Sequence, residues 1–180
     1  MCIRDSLVTD ILSKAVASNQ GDQNITTVDL NLVIDEVIGN LKNDISMKNA
    51  TINYVNLPSI YGYKSDFVQL FQNMISNSLK YSRANIDTKI EISSKKENGF
   101  HLLSIEDNGQ GISENALERI FDKWDRGDAN DNQGHGIGLS TCKKIVEEYN
   151  GTIIADSKVG IGTVFSFKIK DLARMLEPSV

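Results

Sequence analysis

Between Ser65 and Ser82 the chain reads SDFVQLFQNMISNSLKYS, and this stretch has two faces. Phe67, Leu70, Phe71, Met74, Ile75 and Leu79 recur every three or four residues, the spacing of a helix with a buried stripe over 65–81. A helix this apolar along one side needs a second layer to cover it. Its other side is unusual. Asn73 and Asn77 stand four residues apart with Lys80 three further on, so all three share a face away from the apolar stripe. Asparagine is a poor helix-interior residue. Two of them on one face mean either solvent and local side-chain bonds or a polar surface turned toward a charged ligand. An asparagine carbonyl oxygen is a hard donor of the kind Mg²⁺ prefers.

The rest of the chain supplies that second layer. Leu30, Val33, Ile34, Val37, Ile38, Leu41 and Ile45 predict another helix over 29–48, with Asp29 as its N-cap. TINYV alternates as a strand, and LPSIYG turns the chain toward the two-faced helix. TKIEISSKK and FHLLSIED read as a hairpin joined through ENG, and GTIIADS and GTVFSFKI as two closing strands. A short helix is expected around 113–121 and a longer one over 138–149. Helices and strands in this mixture predict one α/β domain. Before it, Leu7, Val8, Ile11, Leu12, Ala15 and Val16 predict a short helix over 7–17, followed by the polar linker SNQGDQN. The boundaries expected are 1–24 for helix and linker, 25–172 for the domain and 173–180 for the tail. The opening residues up to Ser6 carry little weight as native sequence, ahead of an abrupt helical start.

Composition narrows the function classes. A net charge of −5 argues against non-specific nucleic-acid binding. Cys2 and Cys142 give neither a disulfide framework nor a zinc site and suit a reducing compartment. No apolar run approaches the roughly 20 residues that span a bilayer, and MCIRDSLVTD has charges where a signal peptide needs its apolar centre. A cytoplasmic location is expected.

Two further segments carry chemistry. SIEDNGQGI ends a strand in Asp107 and passes through Gly109 and Gly111. The carboxylate can accept a hydrogen bond from an exocyclic amine, and glycines allow close backbone approach. GHGIGLS places Gly134, Gly136 and Gly138 just before a helix, where exposed N–H groups and the helix dipole attract phosphate. A Walker loop would end in Gly-Lys-Ser/Thr, where this chain has Gly138-Leu139-Ser140, and a dinucleotide fingerprint would need an early βαβ context. His135 lies inside the glycine run, and the other histidine, His101, lies in a strand.

Together these segments resemble the ATP-binding catalytic domain of bacterial sensor histidine kinases, in the superfamily shared with DNA gyrase B, MutL and heat-shock ATPase chaperones. QNMISNSLKYS is similar to the N box, DNGQGI to the first glycine box, IFDKWDRGD to the F box and GHGIGLS to the second glycine box. Order and separation agree over roughly residues 27–170. The fold implied is the Bergerat ATP-binding fold, a two-layer α/β sandwich with a mixed sheet covered by three helices. The resemblance implies ATP and Mg²⁺ as cofactors. Asn77 would be the Mg²⁺ ligand with Asn73 beside it, and Lys80 would reach phosphate. Tyr81 would pack near adenine and ribose, and Asp107 would bond the adenine amino group. Gly109, Gly111 and Ile112 would shape that pocket. Phe121 would anchor a lid over 125–135, and Arg126 would stabilise γ-phosphate charge. Gly134, His135, Gly136, Ile137, Gly138 and Leu139 would surround the phosphates. Asn77, Lys80 and Arg126 would be the catalytic set.

The chain departs from that pattern in Trp124-Asp125, where a second aromatic is usual, and in His135, where a small residue is usual. LVTDILSKAV resembles the end of the dimerisation and phosphoacceptor hairpin, yet neither histidine has the His-Glu/Asp-x-x-x-Pro context of an acceptor. The expected activity is transfer of the γ-phosphoryl of Mg-ATP to a histidine on a dimerisation domain mostly absent from this chain. A response regulator would follow downstream, and the parent kinase could be membrane-anchored. The fragment itself is expected to be a monomer, or a weak dimer through 7–17. The alternative is a degenerate nucleotide-binding regulatory module without kinase activity. A chaperone- or gyrase-type ATPase would need an N-box glutamate, and the helix over 65–81 has none.

Overall fold

Asp29 both ends a strand and starts a helix, and the fold grows from that junction. The structure, a computed structural model, describes residues 25–122 and 138–170. The expected helix over 7–17, the lid and the C-terminal tail therefore lie outside the described residues. Strand β1 (Thr26–Asp29) leads into helix α1 (Leu30–Asn40), and the Asp29 carboxylate accepts the Asn31 N–H at 2.8 Å as the expected cap. Asn31 then reaches Leu57, donating to its carbonyl and accepting from its N–H.

Two expectations change here. LPSIYG is not only a turn: Ser59–Gly62 forms β3, antiparallel to β1. The single helix over 29–48 is two, α1 and α2 (Lys42–Met47). Gly39 and Asn40, both weak helix formers, precede the interruption at Leu41. Leu41 itself stays buried, so the break does not remove it from the core.

The main sheet has the order β2-β4-β5-β7-β6, comprising β2 (Thr51–Tyr54), β4 (Lys89–Glu97), β5 (Phe100–Asp107), β7 (Gly162–Lys170) and β6 (Thr152–Lys158). β2 runs parallel to β4 and the other neighbours are antiparallel, which makes the sheet mixed as expected. Alternation decides which face is covered. His101, Leu103 and Ile105 of β5, beside Ile169, Phe167 and Phe165 of β7, point to the buried side. Between them, Ser93, Ser104, Ser166 and Ile154 form a row on the opposite side, which no helix among the described residues covers.

Three helices cover the inner face: α1, α3 (Lys64–Lys80) and α5 (Gly138–Glu148). The predicted stripe of α3 is buried throughout, and Phe71 meets Phe167 edge-on at 5.8 Å between ring centroids. A one-turn helix, α4 (Glu114–Leu117), follows β5.

Tyr149, just past α5, fastens that helix to the start of α3. Its hydroxyl accepts the Tyr63 N–H at 2.9 Å and donates to Asp66 at 2.8 Å. Burial first, then the Asp66 charge, push its pKa well above the ordinary phenol value, so it remains a donor. Tyr149→Phe removes both bonds inside a packed site, and the expected loss is about 1–3 kcal/mol of stability. The urea midpoint should fall with the slope of the transition unchanged; an unaltered midpoint would show that the hydroxyl contributes nothing.

Candidate nucleotide-binding site

The site begins where β5 runs out beneath α3. Asp107 occupies the last inward position of β5, opposite Thr163 of β7. Its Oδ1 accepts the N–H groups of Gly109 at 2.9 Å and Thr163 at 3.3 Å. Its Oδ2 accepts the hydroxyl of Ser78, which is buried in α3, at 2.9 Å. A carboxylate offers about four lone-pair positions, and three are taken. One acceptor position on Oδ2 is left, suited to a single N–H such as that of an exocyclic amine.

Sequence reasoning placed Asp107 but not Ser78, Thr163 or Ser157. Register brings the last two onto the same inward row, since Ser157 pairs with Thr163 and Thr163 with Asp107. Ser157 Oγ accepts the Ile112 N–H at 2.8 Å and contacts the Gly162 carbonyl at 2.8 Å and Thr163 Oγ1 at 2.9 Å. A carbonyl only accepts, so all three contacts are satisfied together when Ser157 donates to Gly162 and Thr163 donates to Ser157. Thr163 then offers acceptor lone pairs beside Asp107. Hydroxyl residues at inward slots of GTIIADS and GTVFSFKI, where apolar ones are expected, were the available signal.

Gly109 and Gly111 are needed by the protein's own backbone. A Cβ on Gly109 would stand 2.7 Å from the Tyr81 carbonyl oxygen and 2.8 Å from Asp107 Oδ1. Gly111 has a positive φ of 73°, and a Cβ there would meet the Lys158 carbonyl oxygen at 2.2 Å. The glycine turn is thus pinned between the end of α3 and the β6–β7 hairpin. Arg83 braces the same corner, bonding the Asn108 and Gly160 carbonyls at 2.9 and 2.7 Å.

The two asparagines of α3 do different work. Asn73 donates to the Gly138 carbonyl at 3.3 Å, tying α3 to the first residue of α5. Asn77, one turn closer to Asp107 along the chain, has no side-chain hydrogen bond among the described residues. Lys80 donates to the Tyr81 hydroxyl at 3.1 Å, with its ammonium 4.8 Å from the centre of that ring. Tyr81 is 44% exposed, so its ring presents a face to incoming molecules. Phe121 lies edge-on to Phe165 at 6.3 Å, and Ile112 and Leu139 pack against the core. Gly138 sits beside Asn73 with room for a Cβ. Arg126, Gly134, His135, Gly136 and Ile137 lie outside the described residues. Two side chains with reactive chemistry of their own are buried: His101 in the sheet, and Cys142 beside Asn73, where burial pushes the thiol up to about 12 and leaves it inert.

Among the described residues no group of three or more His, Cys, Asp or Glu is placed to hold a metal, and no helix is long and apolar enough to cross a membrane. The donor set therefore does not form a protein-only metal cage. A single uncommitted amide oxygen fits an ion that keeps most of its waters and shares phosphate oxygens, as Mg²⁺ does.

A mixed sheet backed by helices, with a fixed carboxylate at the end of β5, hydroxyls beside it on β6 and β7 and an uncommitted amide on α3, is an arrangement suited to a nucleotide-binding ATPase domain. The family model described as histidine kinase-, DNA gyrase B- and HSP90-like ATPase matches residues 62–173, and the chain belongs to that family. It is 33% identical over 168 residues to the phytochrome-like protein Cph1 of Synechocystis, covering 93% of this chain and 22% of that protein. It is 35% identical over 166 residues to the sensor protein kinase WalK of Staphylococcus aureus, covering 87% of this chain and 39% of that protein. The chain thus spans less than half the length of these relatives. The catalytic domain of histidine kinase ThkA, in a nucleotide-free form, superposes with a TM-score of 0.70 at 27% identity, over 82% of this chain and 96% of that one.

Proposed function

We propose that this chain is the ATP-binding catalytic part of a two-component sensor histidine kinase, which transfers the γ-phosphoryl of Mg-ATP to a histidine on a separate dimerisation domain. The carrying observation is the Asp107 carboxylate, held by Ser78, Gly109 and Thr163 with one acceptor position left for an adenine amino group. Asn77 would hold Mg²⁺ through its amide oxygen, while Lys80 and Arg126 would balance phosphate charge. Bound there, Mg²⁺ would neutralise charge on the transferring phosphate. Gly134, His135, Gly136, Ile137, Gly138 and Leu139 would line the phosphate end, and Phe121 would anchor the lid from its place against β7.

Transfer to a histidine, in preference to water, is favoured by what α3 lacks. Its only carboxylate is Asp66, which accepts from Tyr149 about two helical turns before Asn73 and three before Asn77. No acidic side chain of that helix is placed to activate water, as an ATPase general base would be. Residues 1–24 would be the end of the phosphoacceptor hairpin and its linker, 25–172 the catalytic domain and 173–180 a tail. A response regulator would receive the phosphoryl group, and the work would be done in the cytoplasm.

Mixing the chain with a histidine-bearing helical-hairpin domain and γ-labelled ATP should give acid-labile phosphate on that domain. Tight ATP binding without label on any of several such domains would favour the non-catalytic regulatory module instead.

A further inference from the structure

We propose that Ser78 is a positioning residue for base recognition, acting through Asp107 to aim the one remaining acceptor position at the purine 6-amino group. The proposal rests on the adenine-nucleotide reading of this pocket. Ser78 is only 2% exposed and its hydroxyl lies 2.9 Å from Asp107 Oδ2. A carboxylate cannot donate, so Ser78 donates its single proton there.

The division of labour between the two carboxylate oxygens follows from the partners. Oδ1 is occupied by two backbone N–H groups, from the glycine turn and from β7. These fix where Oδ1 sits but leave the side chain able to pivot about that point. Ser78 supplies the contact from the opposite side, out of α3, and among the described residues it is the donor that holds Oδ2. The hydroxyl stops the pivot and fills one lone pair, so the other lone pair has a set direction. Preorganised acceptors of this kind lower the cost of ordering on binding. Ser78 also shares its helix with Asn77, the residue immediately before it. Its bond therefore ties the base-reading carboxylate to the element that carries the candidate metal ligand.

An alanine at 78 favours the helix and removes only the hydroxyl, so the Ser78→Ala protein should fold. The test is calorimetric binding of ATP and of purine riboside triphosphate, which lacks the 6-amino group, to the wild-type chain and to Ser78→Ala. Wild type should prefer ATP. Ser78→Ala should weaken ATP by about 3- to 10-fold, the scale of one ordinary hydrogen bond because the serine acts through Asp107 and does not touch the base, and the deamino analogue by less than about 2-fold. Equal weakening of both nucleotides would mean a structural role only and overturn the proposal. No weakening of either, with the wild-type preference for ATP intact, would overturn it while leaving the Asp107 reading in place. A wild-type chain that binds the two nucleotides equally would overturn the adenine reading itself, and Ser78 with it.

Discussion

Replacing Asp107 with asparagine is expected to weaken ATP binding about 10- to 150-fold, equivalent to about 1.5–3 kcal/mol for a hydrogen bond to a charged group. The geometry says which way the new amide must sit. Two backbone N–H groups point at Oδ1, so the asparagine carbonyl oxygen takes that place and its NH₂ takes the place of Oδ2. Ser78 adapts by accepting from the NH₂, since a hydroxyl can either donate or accept. The fold therefore survives, but the one position open to a base changes from acceptor to donor. An adenine amino group now meets another N–H, whereas the oxygen at the corresponding place in guanine meets a donor. The preference for ATP over GTP should fall by at least the same factor as ATP affinity. Titrations of both nucleotides against wild type and Asp107→Asn measure this directly. A folded variant that keeps its ATP affinity would remove Asp107 from base recognition.

The second large effect is expected at Asn77. Its amide is uncommitted among the described residues although it lies on a well-formed helix, while Asn73, one turn earlier, is bonded to Gly138. Asn77→Ala should leave stability nearly unchanged, because alanine favours the helix and no bond within the described residues is lost. Phosphoryl transfer to an added hairpin domain should fall on the order of 100-fold, the scale of removing one preorganised electrostatic contact. The dependence of nucleotide affinity on Mg²⁺ should largely disappear. Asn73→Ala makes the informative contrast: it should loosen α5 on α3 and lower stability, with the Mg²⁺ dependence retained. Identical behaviour of the two variants would refute the division of roles.

The helices and the hairpin are legible in the sequence because their apolar spacing extends over many residues. Phe67 to Leu79 and Leu30 to Leu41 each repeat long enough to define a face. β1 and β3 are not legible because each leads almost directly into a helix, Thr26–Asp29 into α1 and Ser59–Gly62 into α3, and so reads as the approach to it. The break at Leu41 is hidden for a related reason: the buried stripe carries on through it. In the site, Asp107, Asn77 and the glycines stand out by residue type, although Gly109 and Gly111 answer to neighbouring backbone. Ser78 is invisible because a serine in a helix is unremarkable, and Ser157 and Thr163 show only as hydroxyls at inward strand slots, with nothing to say what they bond. Only strand register aligns Ser157 and Thr163 with Asp107, and only the seating of α3 on the sheet brings Ser78 to it.

The uncovered side of the sheet has a consequence for how such a chain can change over time. Along β4, β5 and β7, every second residue points away from all three helices. Glu91, Ser93, Ser104, Glu106, Ser166 and Lys168 can therefore be exchanged without repacking Leu103, Ile105, Phe165 or Phe167. Half of each strand records the fold and the other half is left open for surface chemistry to drift. Lineages can thus diverge in what that surface meets while the base-reading corner behind it stays the same.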